Sequence, residues 1–183
     1  MFIQTEETPN PATMKFLPSR EVMGEGTLDI TKAEDAKASP LAEALFEIEG
    51  IRGVFLGRDF VTVTKDAGKD WQVMKPSILT TIMDHFTNNR PVVATSGAAV
   101  AAVATNDTDL VKQIRELIEV KVRPAVAQDG GDIVFESFED GIVYLTLKGS
   151  CSGCPSSTMT LKAGIENMLK HYIPEVREVR QAI

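Results

Sequence analysis

The sequence predicts an α+β protein of two small domains joined by a flexible Ala/Thr/Ser linker, and three observations carry that expectation. In both halves of the chain, apolar residues recur at the two-residue period of half-buried strands and at the three-to-four-residue period of helices. Between the halves, Pro91-Val92-Val93-Ala94-Thr95-Ser96-Gly97 runs into an Ala/Val stretch that ends in Thr105-Asn106-Asp107-Thr108, with no aromatic residue and no charge before Asp107. The length of 183 residues, 43 % of them hydrophobic, suits one large core or two small ones. The expected boundaries are a first domain over residues 1–90, a linker over 91–107 and a second domain over 108–183.

In the first domain, Met1 to Glu6 and Thr13 to Val22 read as extended segments separated by a Pro9-Asn10-Pro11 turn. Leu41 to Ile48 reads as a helix opened by Ser39 or Pro40. Val54 to Thr64 is β-branched and aromatic around Gly57-Arg58-Asp59, the pattern of a hairpin. Ile78, Ile82, Met83 and Phe86 fall at helical spacing in a segment expected to run from Val73 to about Asn88. Trp71 and Met74 are expected to be core anchors, and His85 and His171 ordinary helix residues.

The second domain is expected in the order α-β-β-α-β. Asp109 is the expected N-cap of a helix with Leu110, Ile114, Leu117, Ile118 and Val122 on its apolar face and a kink at Pro124. Asp129-Gly130-Gly131-Asp132 is read as a turn that ends this helix and opens a strand. Asp132 to Phe138 and Ile142 to Lys148 form the expected hairpin around Glu139-Asp140-Gly141. A helix over Pro155 to Tyr172 follows, with Leu161, Ile165, Met168, Leu169 and Tyr172 on one face, and Val176 to Val179 forms a short edge strand.

Composition excludes several functions. Residues 1–90 carry 10 basic and 14 acidic residues, and residues 91–183 carry 9 and 12, so neither half offers a basic face for nucleic acid. The longest apolar run, Gly97 to Ala104, is far below the roughly 18 to 20 residues of a membrane span. The first residues carry acids and no basic leader, which points to a cytoplasmic protein.

Chemistry is expected at Cys151-Ser152-Gly153-Cys154, which contains the two cysteines of the chain. Two intervening residues turn the chain back so that both sulfurs can face one metal centre, and Gly153 permits the positive φ such a turn uses. Pro155 suits the first turn of the following helix, whose free N–H groups favour thiolate over thiol. Iron–sulfur clusters and structural zinc commonly take four protein ligands, so two cysteines make half a site. His171 lies about 17 residues along the helix from Cys154, roughly 25 Å away, and cannot complete it. A symmetric dimer supplying two thiolates per chain closes the site most simply. A thiol–disulfide oxidoreductase and a zinc-bridged interaction module remain open as readings of the same loop. Small buried core cysteines are the bland alternative, disfavoured because Gly, Ser and Pro surround them.

Two stretches resemble a known family. Asp129-Gly130-Gly131-Asp132-Ile133 followed by Leu147-Lys148-Gly149-Ser150-Cys151-Ser152-Gly153-Cys154-Pro155-Ser156-Ser157-Thr158 is similar to the C-terminal domain of NifU-type proteins. Thr8-Pro9-Asn10-Pro11-Ala12-Thr13-Met14-Lys15-Phe16 and Val54 to Val63 resemble the Nfu N-terminal domain. The resemblance implies a homodimer, when loaded, that holds a 4Fe-4S cluster on Cys151 and Cys154 of each chain, with 2Fe-2S the less favoured cluster. It also implies receipt from an upstream assembly scaffold, delivery to recipient apo iron–sulfur proteins, and no enzymatic activity or catalytic residue. The three-cysteine scaffold domain of longer NifU proteins is absent from this sequence, which favours carriage over construction. The missing leader favours a bacterial-type cytoplasmic form or a processed one.

Overall fold

The computed structural model describes residues 1–24, 26–94, 108–151 and 155–182, and the chain divides into two compact units, Met1–Val100 and Ala101–Ile183. Most of the expected linker, residues 95–107, lies outside the described residues. No described helix is long and apolar enough to cross a membrane.

In the first unit, β1 (Gln4–Glu7), β2 (Thr13–Leu17), β3 (Leu28–Ile30), β4 (Ile51–Leu56) and β5 (Val61–Lys65) form one antiparallel sheet in the order β1-β2-β5-β4-β3. Asn10 makes the β1–β2 turn: its side-chain oxygen accepts from the Ala12 N–H at 3.1 Å, and its carbonyl accepts from the Thr13 N–H at 2.9 Å. Strand β2 stops at Leu17, five residues before the expected end at Val22, because Pro18 has no N–H for the ladder and Ser19 turns to a φ of 56°. The register places Met14, Phe16, Val54, Leu56, Val61 and Val63 on one face, where they share a core with α1 (Pro40–Phe46) and α2 (Trp71–Thr87).

Side-chain caps set where both helices begin. Ser39 Oγ accepts from the Ala42 N–H at 3.2 Å, and Asp70 accepts from the Gln72 N–H at 2.9 Å, so α2 starts two residues before Val73. Trp71 Nε1 donates to the Pro11 carbonyl at 3.0 Å and Met74 is buried, which makes both structural anchors. Strand β3 and a 3₁₀ turn over Ala33–Ala38 are too short to show a sequence period. Residues 91–94, expected to open the linker, lie along this unit: Ser39 Oγ donates to the Val92 carbonyl, and the Ala94 N–H donates to Ala38 at 2.9 Å.

The second unit follows the expected order. Helix α3 (Asp109–Leu117), a π-helical turn (Ile118–Val122) and α4 (Arg123–Gln128) lead into β6 (Gly131–Glu139) and β7 (Ile142–Gly149), then α5 (Pro155–Tyr172) and β8 (Glu178–Gln181). The sheet order is β6-β7-β8, antiparallel then parallel. Thr108, not Asp109, stands at the cap position of α3. The expected kink at Pro124 is a widened turn just before it, where the proline ring would otherwise meet the carbonyl four residues back. Ile114, Ile118, Val122 and Val126 are buried at an even spacing of four. A regular helix would drift by about 40° per such step, and the widened turn offsets the drift.

Asp140 (φ 50°) and Gly141 (φ 80°) form the two-residue hairpin turn between β6 and β7. Ile165 and Leu169 on α5, with Ile173 just past its end, form the buried stripe, and Tyr172, expected on that face, is 51 % exposed beneath Lys121. Strand β8 begins two residues after the expected Val176, which is instead buried in the turn and donates to Ile173.

Candidate metal centre

Strand β7 ends at Gly149, whose φ of 67° turns the chain out of the ladder, and α4 ends at Asp129-Gly130, with Gly130 at φ 77°. Two left-handed glycines thus fold the 129–132 turn and the 149–151 segment against each other. The Ser150 N–H donates to the Gly130 carbonyl at 3.3 Å, and Ser150 Oγ donates to the Asp129 carbonyl.

Cys151 rests on this turn. An added Cβ at Gly131 would lie 2.8 Å from Cys151 Sγ and 2.7 Å from the Lys148 carbonyl, so only glycine leaves room for the sulfur there. Cys151 is 4 % exposed and joins the core with Ile133, Leu147 and Ile165. This corrects the expectation that both cysteines stand clear of the core: the strand end tucks the first of them inward. Cys154 lies outside the described residues.

The turn is itself anchored. Asp132 is 3 % exposed, and its carboxylate takes both prongs of the Arg123 guanidinium, at 2.9 and 3.2 Å, and the Ile133 N–H at 2.8 Å. Arg123 also pairs with Glu119 one turn back on the helical segment. The hydrogen bond with Asp132 is the main cause holding Arg123 protonated well above its ordinary value, against the opposing effect of burial. The Asp129–Asp132 sequence is therefore the structural turn expected, and the Asp132 charge is held in an internal ion pair.

Arg123, Gly131 and Ser150 were not singled out as site residues from the sequence; the signal available was the Asp129-Gly130-Gly131-Asp132 run itself. Among the described residues, no group of three or more His, Cys, Asp or Glu is gathered to hold a metal. His171 stands at the far end of α5, about 24 Å from Pro155 by helix rise. His85 is on α2 in the first unit. It is 2 % exposed, and neither ring nitrogen finds a hydrogen-bond partner among the described residues. Burial pushes its pKa down, with the nearby Pro91 backbone opposing and the Arg90 charge assisting.

Sequence comparison bears on this geometry. The profile described as "Scaffold protein Nfu/NifU N terminal" matches residues 3–89, and that of the "NifU-like domain" matches residues 114–180, which includes the cysteine loop. The chain belongs to the Nfu/NifU family. Its relatives include proteins named "NFU1 iron-sulfur cluster scaffold homolog, mitochondrial". The one from Drosophila ananassae is 49 % identical over 99 % of this chain, and the one from Homo sapiens is 48 % identical over 100 % of it. This Nfu/NifU chain spans 64 % of the length of the first relative and 72 % of the second. A solution structure of a NifU-like protein from Saccharomyces cerevisiae matches 52 % of this chain and 86 % of its own length, with 25 % identity and a TM-score of 0.47.

The mitochondrial names of these relatives overturn the expectation of a bacterial-type cytoplasmic protein. The acidic residues behind that expectation, up to Glu7, belong to β1.

Proposed function

We propose that this chain is an iron–sulfur cluster carrier. A 4Fe-4S cluster is held as cargo between two chains, on Cys151 and Cys154 of each, and is passed to recipient apoproteins after receipt from an upstream assembly scaffold. The observation that most supports this reading is the position of the C-x-x-C pair. It falls inside the segment matched by the NifU-like domain, between a strand end and a helix start. Likeness along the whole of this chain to proteins named as iron–sulfur cluster scaffolds supports the cluster as cargo.

The chemistry follows from the ligand set. Four thiolates around a cluster core of about +2 leave net negative charge, which the N-termini of two α5 helices partly offset. A cluster shared at a dimer junction is reachable by outside thiolates, so a recipient can displace the four cysteines stepwise. The first unit contains no cysteine, and we assign it recipient recognition.

Anaerobic reconstitution of the full chain with iron and sulfide separates the readings of the loop. A broad brown absorption near about 400 nm is the result expected of a cluster protein. Stoichiometric zinc without that band would make the loop a zinc-bridged module, and a reversible two-electron dithiol titration without metal would make it an oxidoreductase.

A further inference from the structure

Cys151 does not hang free at the end of β7. Its sulfur lies over the bare face of Gly131, its neighbour Ser150 is bonded twice to the 129–130 backbone, and that backbone is continuous with Asp132, locked by Arg123. Ser150 Oγ also stands 4.0 Å from Cys151 Sγ. Gly131 and Ser150 stand next to the sulfur, Arg123 and Asp132 brace the turn that carries Gly131, and none of the four is a thiol, an imidazole or an accessible carboxylate suited to ligation.

We propose that Ser150 and the Arg123–Asp132 pair are positioning residues for Cys151: they hold the 129–132 turn as a seat that fixes and shelters its sulfur. The inference rests on the cluster-carrier reading for its consequence, because a ligand already placed spends less freedom when the cluster arrives. The shelter itself exists in the cluster-free chain and is measurable there. Asp132 is buried and charged, so removing either partner outright risks unfolding. Gly131 is a poor test site for a similar reason, since a Cβ there would also meet backbone at Lys148.

Two milder variants of the full chain test the seat. Ser150→Ala removes the hydroxyl that bonds Asp129, and Arg123→Lys keeps the charge while losing the two-pronged grip. For each, the alkylation rate of Cys151 by iodoacetamide is read in the cluster-free protein by site-resolved tandem mass spectrometry. Release of the reconstituted cluster to a chelator is followed at its visible band, with visible circular dichroism reporting cluster geometry and thermal unfolding as the control for fold. Both variants should melt within a few degrees of the parent, alkylate at Cys151 about tenfold faster and release the cluster about tenfold faster, with altered visible dichroism.

Unchanged alkylation in both folded variants would overturn the seat. Faster alkylation with unchanged cluster release and dichroism would make it packing alone and overturn the positioning role. A parent protein that takes up no cluster would defeat the carrier reading instead, and the alkylation rates would still decide whether the seat exists.

Discussion

Cys151 has two demands on it, a place in the core of the second unit and a proposed place on the cargo, and the residues around it reconcile them. Its side chain is buried because Gly131 has no Cβ, so the sulfur fills space that any other residue would occupy. Cys151→Ser preserves volume but sets a hydroxyl in an apolar contact, a cost of about 1–2 kcal/mol. The second unit of this variant should therefore melt several degrees lower, besides taking up no cluster. Both tyrosines, Tyr144 and Tyr172, lie in that unit, so tyrosine absorbance on heating reports the change. His85 supports a prediction for the other unit. Its folded pKa is depressed by burial, so the unfolded chain takes up the proton first as pH falls. The stability this residue contributes is complete above the ordinary histidine range and is lost as pH drops through that range toward the folded value. Asp84, which favours the charged ring, and Arg90, which disfavours it, are the charged groups that modulate the effect. The first unit's melting temperature, followed by fluorescence of Trp71, should fall by a few degrees between about pH 7.5 and about pH 5.5. In His85→Leu that slope should flatten.

At the scale of elements, what was legible in the sequence was whatever has a period or a turn signature. The 142–149 strand, the helix from Pro155 and the Asp140-Gly141 hairpin turn stand where their residue patterns put them. The three-residue β3 and the 3₁₀ turn over Ala33–Ala38 are too short for an apolar period to stand out and left no pattern to read. The π-helical turn at Ile118–Val122 was signalled by Pro124, but its form depended on the spacing of four among Ile114, Ile118, Val122 and Val126, which only packing on the sheet explains. Tyr172 was misplaced because Ile173, the residue just past α5, takes the buried position in its place. The hairpin offers a direct test. Gly141 has a φ of 80°, and a Cβ there would lie 2.9 Å from Arg177 Cγ and 3.0 Å from the Glu175 carbonyl. Gly141→Ala should destabilise the second unit by about 1–2 kcal/mol, read as a shift in its thermal midpoint, and leave the Trp71-reported transition of the first unit in place.

Across the whole molecule, the two units divide chemistry from the rest: both cysteines fall after residue 150, and the first unit holds the single tryptophan and no cysteine. The cysteine pair was legible because its spacing lies within four consecutive residues. The seat beneath it was not, because Ser150 and Asp129 are 21 positions apart and meet only when β7 and α4 end side by side. The relatives then supplied what no residue pattern could, by correcting the compartment expected from the acidic β1. The central claim is that each chain brings half of a shared ligand set. Native mass spectrometry of the full chain after anaerobic reconstitution tests it most directly, because it weighs chain number and cargo together. The account predicts a dimer carrying one 4Fe-4S cluster that falls to cluster-free chains when iron is chelated. A single chain retaining a complete cluster, or a dimer loaded equally well after Cys151→Ser, would contradict it.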